Sequence, residues 1–162
     1  MIETVAAFEE FARSRAPHLF RSAWLLTGSR EEAEDLVQET LGKVYVRMQR
    51  RLGPRLDNPA AYAQVVLTRT FVSSRRRKSS TEMPYAAVPD AVAEDCTGQS
   101  DLRMSLQETL GTLAPLDRAV LVLRYLEDLS VDEVGNLLDI SPGAVKNRSM
   151  RALARMRERS TR

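Results

Sequence analysis

The chain has 162 residues, of which 43% are hydrophobic and 28% are charged, and its formal net charge is +2. This composition is typical of a globular protein rather than a disordered chain, and the apolar runs are too short to span a membrane. A single cysteine (Cys96) and a single histidine (His18) exclude an internal disulfide and argue against a His/Cys metal site. The start lacks the features of a secretory signal, so we expect a protein of the reducing cytoplasm.

The first third of the chain predicts two helices. Apolar residues over 5–27 recur at helical spacing, with Pro17 as a break or kink. Ser29 followed by Glu32 matches a capping box, in which the Ser hydroxyl and the Glu carboxylate each accept a backbone N–H. This signal predicts that a second helix starts here and runs to about Arg51.

The second helix is predicted to be amphipathic. Its polar side carries Asp35, Gln38 and Glu39, which the spacing i, i+3, i+4 brings together. From the residues alone, a solvated helix face explains this patch at least as well as a docking site for a partner helix. The apolar side is predicted to be buried and consists of Ala33, Leu36, Val37, Thr40, Leu41, Val44 and Met48.

A third helix is predicted to begin at Asn58, which caps it, with Pro59 at the first helical position. The helix carries aromatic residues and ends in four consecutive cations, Arg75 to Lys78. Cations stabilise a helix C-terminus, so a charged helix end is one interpretation. The other is a nucleic-acid contact, in which the cations bind phosphates and aromatic rings stack on unpaired bases.

Residues 79–101 contain five acids, two prolines and no Lys or Arg, and show no periodicity. A structureless stretch of this length is unusual inside a compact domain, so we predict an interdomain linker. The predicted domains are residues 1–78 and 102–162. No strand pattern is convincing anywhere, and the predicted fold class is all-α, with two small helical domains.

The C-terminal part, Leu129 to Arg159, has the pattern of a helix-turn-helix. Ser130 and Glu133 form a capping box, and Ser141 caps a second helix with Pro142 at its first position. From Ser141 to the end there are seven Lys or Arg and one acid. A basic second helix is typical of a DNA recognition helix, although an ordinary terminal helix with a solvated basic face remains the alternative.

Three segments in order then resemble one family, the extracytoplasmic-function (ECF) sigma factors of bacterial RNA polymerase. Residues 32–41, EAEDLVQETL, resemble region 2.2 of these proteins. Residues 62–77 resemble regions 2.3 and 2.4, most closely in the SigE-like subgroup. Residues 123–130, LRYLEDLS, and 141–148, SPGAVKNR, resemble region 4. The resemblance covers nearly the whole chain.

The resemblance implies a promoter-specificity subunit that is not an enzyme, needs no cofactor and does not enter a membrane. Its implied partners are core RNA polymerase, through the clamp helices of β′ and the flap of β, promoter DNA, and by family habit an anti-sigma factor. The implied polymerase contacts are Asp35, Gln38 and Glu39. The implied contacts to the melted −10 element are Tyr62, Arg69, Thr70, Arg75, Arg76 and Arg77. The implied contacts to the −35 element are Ser141, Lys146, Asn147, Arg148 and Arg151.

Two other classes of protein are alternatives to this interpretation. A stand-alone helix-turn-helix regulator, with the N-terminal half as a sensor or dimerisation bundle, needs neither the Asp35 patch nor the cations of 75–78. As a symmetric dimer it would also read a palindrome, whereas a sigma factor reads two dissimilar elements. An enzyme has little support, because Asp35 and Glu39 lie on a predicted exposed face without a histidine, metal ligands or a glycine-rich loop.

Overall fold

A computed structural model describes residues 2–50, 52–81 and 106–160, and within these ranges the chain forms helices and no strands. The all-α prediction is confirmed. No helix in the described ranges is long and apolar enough to cross a membrane. The helices are α1 (Ile2–Thr27), α2 (Arg30–Gln49), α3 (Pro59–Thr81), α4 (helical over 106–111), α5 (Pro115–Leu121), α6 (Val131–Leu138) and α7 (Pro142–Ser160). A π-helical turn, Val122–Leu126, continues α5.

Of the break or kink predicted at Pro17, the break is wrong, because α1 runs through this proline without interruption. Pro17 lies on the exposed side of the helix, so water can satisfy the carbonyl that its missing N–H leaves unbonded. The opposite side of α1 is held in the core by Leu19 and Leu26. The helix ends at Gly28, whose φ of +74° glycine adopts without strain. The N–H of Gly28 donates to the carbonyl of Trp24 at 2.8 Å.

The capping signals place the starts of α2 and α3 correctly. Ser29 Oγ accepts the N–H of Glu32 at 3.3 Å, and Asn58 Oδ1 accepts the N–H of Ala61 at 3.1 Å. The predicted capping box at α2 is only half formed, however. The Glu32 carboxylate points to cations of α3 instead of returning to the cap, because α3 packs beside the start of α2.

The helix-turn-helix forms as predicted. Ser130 and Glu133 make both bonds of their capping box, each at 3.1 Å. The turn passes through Asp139, which adopts the left-handed conformation with φ +60°. Ser141 Oγ then accepts the N–H of Ala144 at 3.1 Å and starts α7. The buried side of α7 includes Val145, as the spacing predicted.

The N-terminal half (α1–α3) and the C-terminal half (α4–α7) share one hydrophobic core. Helix α1 packs against α5 and the π-helical turn, and α3 packs against α5 and α6, so the two halves lie in direct contact. The predicted linker falls outside the described residues except at 79–81, where α3 continues to Thr81, and Cys96 falls outside them as well. The core joins Leu19, Leu26, Leu36, Val44, Leu67 and Phe71 of the first half with Val120, Leu123, Val134 and Val145 of the second.

Candidate functional site

The three predicted polymerase contacts lie together on an exposed face of α2. Asp35, Gln38 and Glu39 are all solvent-exposed, whereas the opposite face of the helix is buried in the core. Glu39 forms an ion pair of 3.3 Å with Lys43, whose ammonium also donates to Thr70 on α3 at 3.1 Å. The patch is therefore polar, mainly acidic, and fixed to a helix that the core holds rigidly.

The predicted −10 contacts on α3 have different surroundings from one another. Arg76 and Arg77 are exposed, and Tyr62 is half-buried against the core. Thr70 is only 6% exposed and accepts the hydrogen bond from Lys43. In this arrangement Thr70 serves the packing between α2 and α3 and does not face solvent where DNA would bind.

Arg75 also makes contacts that stabilise the fold. Its guanidinium pairs with Glu32 at 2.9 Å, donates to the carbonyl of Thr27 at 3.4 Å, and lies 5.4 Å from the ring centre of Phe71. Phe71 itself is 1% exposed, so this ring cannot stack on a base. The prediction that aromatic residues of α3 stack on unpaired bases therefore does not hold for Phe71.

Arg118 is a structural residue that the sequence analysis missed. It lies 5.8 Å from the Phe71 ring centre on α3 and donates to the carbonyls of Leu26 on α1 and Leu113. Burial, with the nearby Arg75 guanidinium, lowers the pKa of Arg118 to about 10, so it stays protonated at neutral pH. Leu26 is distant from Arg118 in sequence, and no local pattern would have indicated this contact.

Arg69 links α3 to the helix-turn-helix. Its Nε donates to the carbonyl of Leu137, near the end of α6, at 2.9 Å. The last carbonyls of a helix have no partner within the helix, so a guanidinium is a favourable cap there. A residue predicted to bind DNA is thus bound to the other half of the protein.

Helix α7 presents an open cationic face. Lys146, Asn147 and Arg151 are exposed on the side opposite the buried residues of the helix. The other two −35 candidates are engaged elsewhere: Ser141 caps α7, and Arg148 forms an ion pair with Asp117 of α5 at 2.7 Å. Three of the five candidates therefore lie together where a DNA groove can reach them.

Met150 belongs to the same face and was missed. It is 69% exposed and lies four residues after Lys146 and three after Asn147, which places it beside both on the helix. An exposed apolar side chain on a recognition helix can contact the methyl group of thymine in the major groove. The spacing alone could have indicated this residue.

Models of known protein families match both halves of the chain. The family model described as "Sigma-70 region 2" matches residues 11–81, and the one described as "Sigma-70, region 4" matches residues 103–156. The chain belongs to the sigma-70 family. It is an RNA polymerase sigma factor, and a stand-alone regulator is not favoured.

Individual relatives narrow the assignment to the ECF sigma factors. The chain is 38% identical over 154 residues to the RNA polymerase sigma-E factor of Streptomyces avermitilis, covering 95% of this chain and 85% of that one. It is 30% identical over 159 residues to the ECF RNA polymerase sigma factor SigE of Mycolicibacterium smegmatis, covering 94% and 61%. The resemblance stated from the sequence is confirmed.

A solved structure shows the same fold. The sigma factor RpoE of Bartonella quintana, crystallised with the anti-sigma factor NepR, matches this sigma factor with a TM-score of 0.71. Sequence identity is 24%, and the match covers 94% of this chain and 95% of that one. Within the sigma factor described here, the α2 patch and α3 lie in the region 2 match, and α7 lies mostly in the region 4 match.

Proposed function

We propose that this sigma factor binds core RNA polymerase through the α2 patch and promoter DNA through α7 and α3, as a binding subunit rather than an enzyme. The observation that supports this division is the separation of opposite charges. The exposed acidic patch of Asp35, Gln38 and Glu39 lies on α2, and the exposed cations of α7 lie in the other half. One surface suits a cationic or amide-rich protein partner, and the other suits phosphates and base edges.

The polymerase contact proposed here is the clamp helices of β′, with the flap of β as the contact of the C-terminal half. Carboxylate and amide groups held on a rigid helix can pair with cations and amides of a partner helix without ordering a loop on binding. Since RNA polymerase works in the cytoplasm, this proposal also places the protein there.

On DNA, α7 would enter the major groove of the −35 element. Lys146, Asn147 and Arg151 would supply hydrogen bonds to bases and phosphates, and Met150 an apolar contact to a thymine methyl. Arg69, Arg76 and Arg77 are the α3 cations proposed to bind the −10 strand once it is unpaired. Capturing a strand after its stacking is lost needs no catalytic group, so promoter melting needs none from this chain.

An anti-sigma factor is the third proposed partner. The Bartonella quintana sigma factor, which shares the fold of this chain, was crystallised with one. A protein of that kind would compete with polymerase or DNA for the surfaces described above.

The test of the polymerase contact is a triple variant, Asp35→Ala with Gln38→Ala and Glu39→Ala. All three side chains are exposed, so folding should be unchanged by circular dichroism. We expect affinity for core RNA polymerase, measured by fluorescence anisotropy, to fall at least about tenfold, which corresponds to about 1.4 kcal/mol.

A matched control removes the same chemical groups from exposed positions outside the patch, Glu3→Ala with Glu10→Ala and Gln49→Ala. It loses two carboxylates and one amide, as the test variant does, so its net charge changes equally. The control should bind polymerase nearly as well as the wild type. Equal affinity of the two variants would show that the α2 patch is only a solvated helix face.

A further inference from the structure

Arg148 lies on α7, but its guanidinium is bound to another helix of the same half. Its Nη1 donates to Oδ1 of Asp117 on α5 at 2.7 Å. The two side chains are 30% and 17% exposed, so the ion pair is partly shielded from water. Shielding makes the attraction between two charges stronger and less sensitive to salt than at an open surface. A residue that the sequence indicated as a DNA contact is therefore engaged within the protein.

Arg148 occupies the border between the buried and the exposed side of α7. It follows the buried Val145 by three residues and precedes the buried Ala152 by four, and these spacings make all three neighbours on the helix surface. Arg151, a proposed base-reading residue, is exposed and follows Arg148 by three. Because the ion pair holds the edge of the exposed face, it restricts the rotation of α7 about its own axis.

Two buried residues close to Arg148 on α7 have small side chains. Ser149 and Ala152 are both buried, and Ala152 packs in a cluster with Leu121 of α5. A small side chain makes few van der Waals contacts, so a modest rotation of the helix loses little attraction at these positions. The Ser149 Oγ has no hydrogen-bond partner among the described residues and adds no directional contact. The ion pair supplies the direction that these small side chains do not.

Asp117 is a firm anchor for this contact. It lies in the first turn of α5, where the partial positive charge of the helix N-terminus stabilises a carboxylate. The next two residues, Arg118 and Ala119, are buried, and Arg118 donates to the carbonyl of Leu113 at 3.1 Å. The backbone that carries Asp117 is therefore held by the core, and the ion pair passes this fixed position on to α7.

The direction of α7 matters because base reading depends on geometry. Lys146, Asn147 and Arg151 are exposed on α7 and are proposed above to bind bases and phosphates. A hydrogen bond to a base edge weakens as its angle departs from linear. The attraction of a cation for a phosphate depends mainly on distance and changes little over a small rotation. A rotated α7 should therefore lose sequence discrimination before it loses affinity for DNA in general.

We propose that Arg148 is a positioning residue for −35 recognition, which acts through its ion pair with Asp117 and does not itself contact DNA. The proposal rests on the −35 role proposed above for α7. All the base-reading side chains come from this single helix, and α5 supplies only the direction in which they point.

The test measures sequence discrimination by the full-length protein. One DNA duplex is selected from a random library by the wild type, and a second has the same bases in scrambled order. Fluorescence anisotropy gives a dissociation constant for each duplex, and the ratio of the two constants is the discrimination. We expect Asp117→Ala to lower this ratio about tenfold, which is within the discrimination that one well-oriented base contact supplies.

Asp132→Ala is the matched control. Asp117 and Asp132 are both acidic residues in the first turn of a helix, so both variants lose one negative charge and a favourable interaction with a helix N-terminus. The control should keep the wild-type ratio. A variant that only folds less well loses active protein for both duplexes alike, so its ratio would not change either. Equal ratios in Asp117→Ala and Asp132→Ala would overturn the proposal.

A double-mutant cycle separates positioning from a direct DNA contact. If Arg148 acts only through Asp117, then Arg148→Ala and the double variant should both show the ratio of Asp117→Ala. If Arg148 instead binds a phosphate, its removal should weaken both duplexes alike and lower the salt slope of binding by about one. Asp117→Ala would then strengthen binding to both duplexes, because it frees the guanidinium. Additive losses or a reduced salt slope would each overturn the positioning role.

A last variant, Lys146→Ala with Arg151→Ala, shows whether α7 reads DNA at all. If this variant keeps the wild-type ratio, the proposed function of α7 fails and the positioning role fails with it. If it loses discrimination while Asp117→Ala keeps it, the function of α7 stands and only the positioning role fails. Loss of discrimination in both variants, with the control unchanged, is the result that we expect.

Discussion

The same four-residue motif, Ser-x-x-Glu, starts both α2 and α6, and the two copies behave differently. At α6 the Glu133 carboxylate returns to the cap and bonds to the N–H of Ser130 at 3.1 Å. At α2 the Glu32 carboxylate leaves the cap and pairs with Arg75 at 2.9 Å and Lys78 at 3.3 Å. A local hydrogen bond is therefore lost when the fold brings a cation within reach of its acceptor.

The proposed DNA-binding surfaces of the two halves show the same contrast. The α7 face is built by one helix and its turn, and Lys146, Asn147 and Arg151 on it are exposed. On α3, Thr70 and Arg75 are used inside the bundle and Arg69 is used between the halves. The proposed DNA-binding surface of the helix-turn-helix is self-contained, whereas the proposed α3 surface depends on contacts made by the rest of the chain.

The largest expected effect comes from Phe71→Ala, which tests that dependence. Phe71 is fully buried, and the guanidinium groups of Arg75 and Arg118 lie 5.4 Å and 5.8 Å from its ring centre. Removing the ring should lower the free energy of unfolding by about 3–5 kcal/mol, measured by urea denaturation. Phe20→Ala, at a half-buried aromatic of α1, is the control and should cost clearly less. A loss below about 1 kcal/mol for Phe71→Ala would contradict the view that α3 is organised by its packing.

Helix positions and ends were predictable because their causes are local. Capping serines, Asn58, and apolar residues at helical spacing are read directly from neighbouring positions, and most helix starts are where they were expected. The α2 patch and the α7 face follow from the same spacing. The break predicted at Pro17 is wrong because the free-energy cost of a proline inside a helix depends on which side of α1 faces water.

The remaining errors concern long-range contacts. Arg69 and Arg118 bind backbone carbonyls, which every residue carries, so sequence gives no sign of the partner. The Glu32 carboxylate could form a local capping bond, and the sequence pattern predicts that bond. Only the position of α3 decides that Glu32 pairs with Arg75 instead. The contact of Glu127 with His18 joins residues more than a hundred positions apart. Such pairs depend on how helices pack, which local spacing does not determine.

An intermediate effect is expected from Arg151→Ala on the self-contained surface. Loss of a base-reading guanidinium should weaken binding to a duplex by about 1–3 kcal/mol, without changing thermal stability. The duplex is one selected from a random library by the wild-type protein, and binding is followed by anisotropy. Arg159→Ala, an exposed arginine near the end of the same helix, removes the same charge and should cost less.

Transcription separates base reading from a general phosphate contact. With Arg151→Ala, initiation should fall on promoters that depend on the −35 element and persist on promoters that lack it. Equal loss on both kinds of promoter would assign Arg151 a general phosphate or folding role. In that event the contrast between α7 and α3 would narrow, because neither surface would read sequence by itself.

The smallest expected effect distinguishes the two copies of the capping motif. Glutamine can close a capping box but cannot form an ion pair, so Glu133→Gln should leave the free energy of unfolding nearly unchanged. Glu32→Gln loses its pairs with Arg75 and Lys78, and it should cost up to about 1 kcal/mol because these pairs are partly exposed. Salt screens an ion pair much more than a neutral hydrogen bond, so the cost at Glu32 should shrink in high salt. Chemical denaturation by urea at low and high salt measures both variants. Equal, salt-independent costs at the two sites would mean that Glu32 acts as a cap after all, and that the two motifs do not differ.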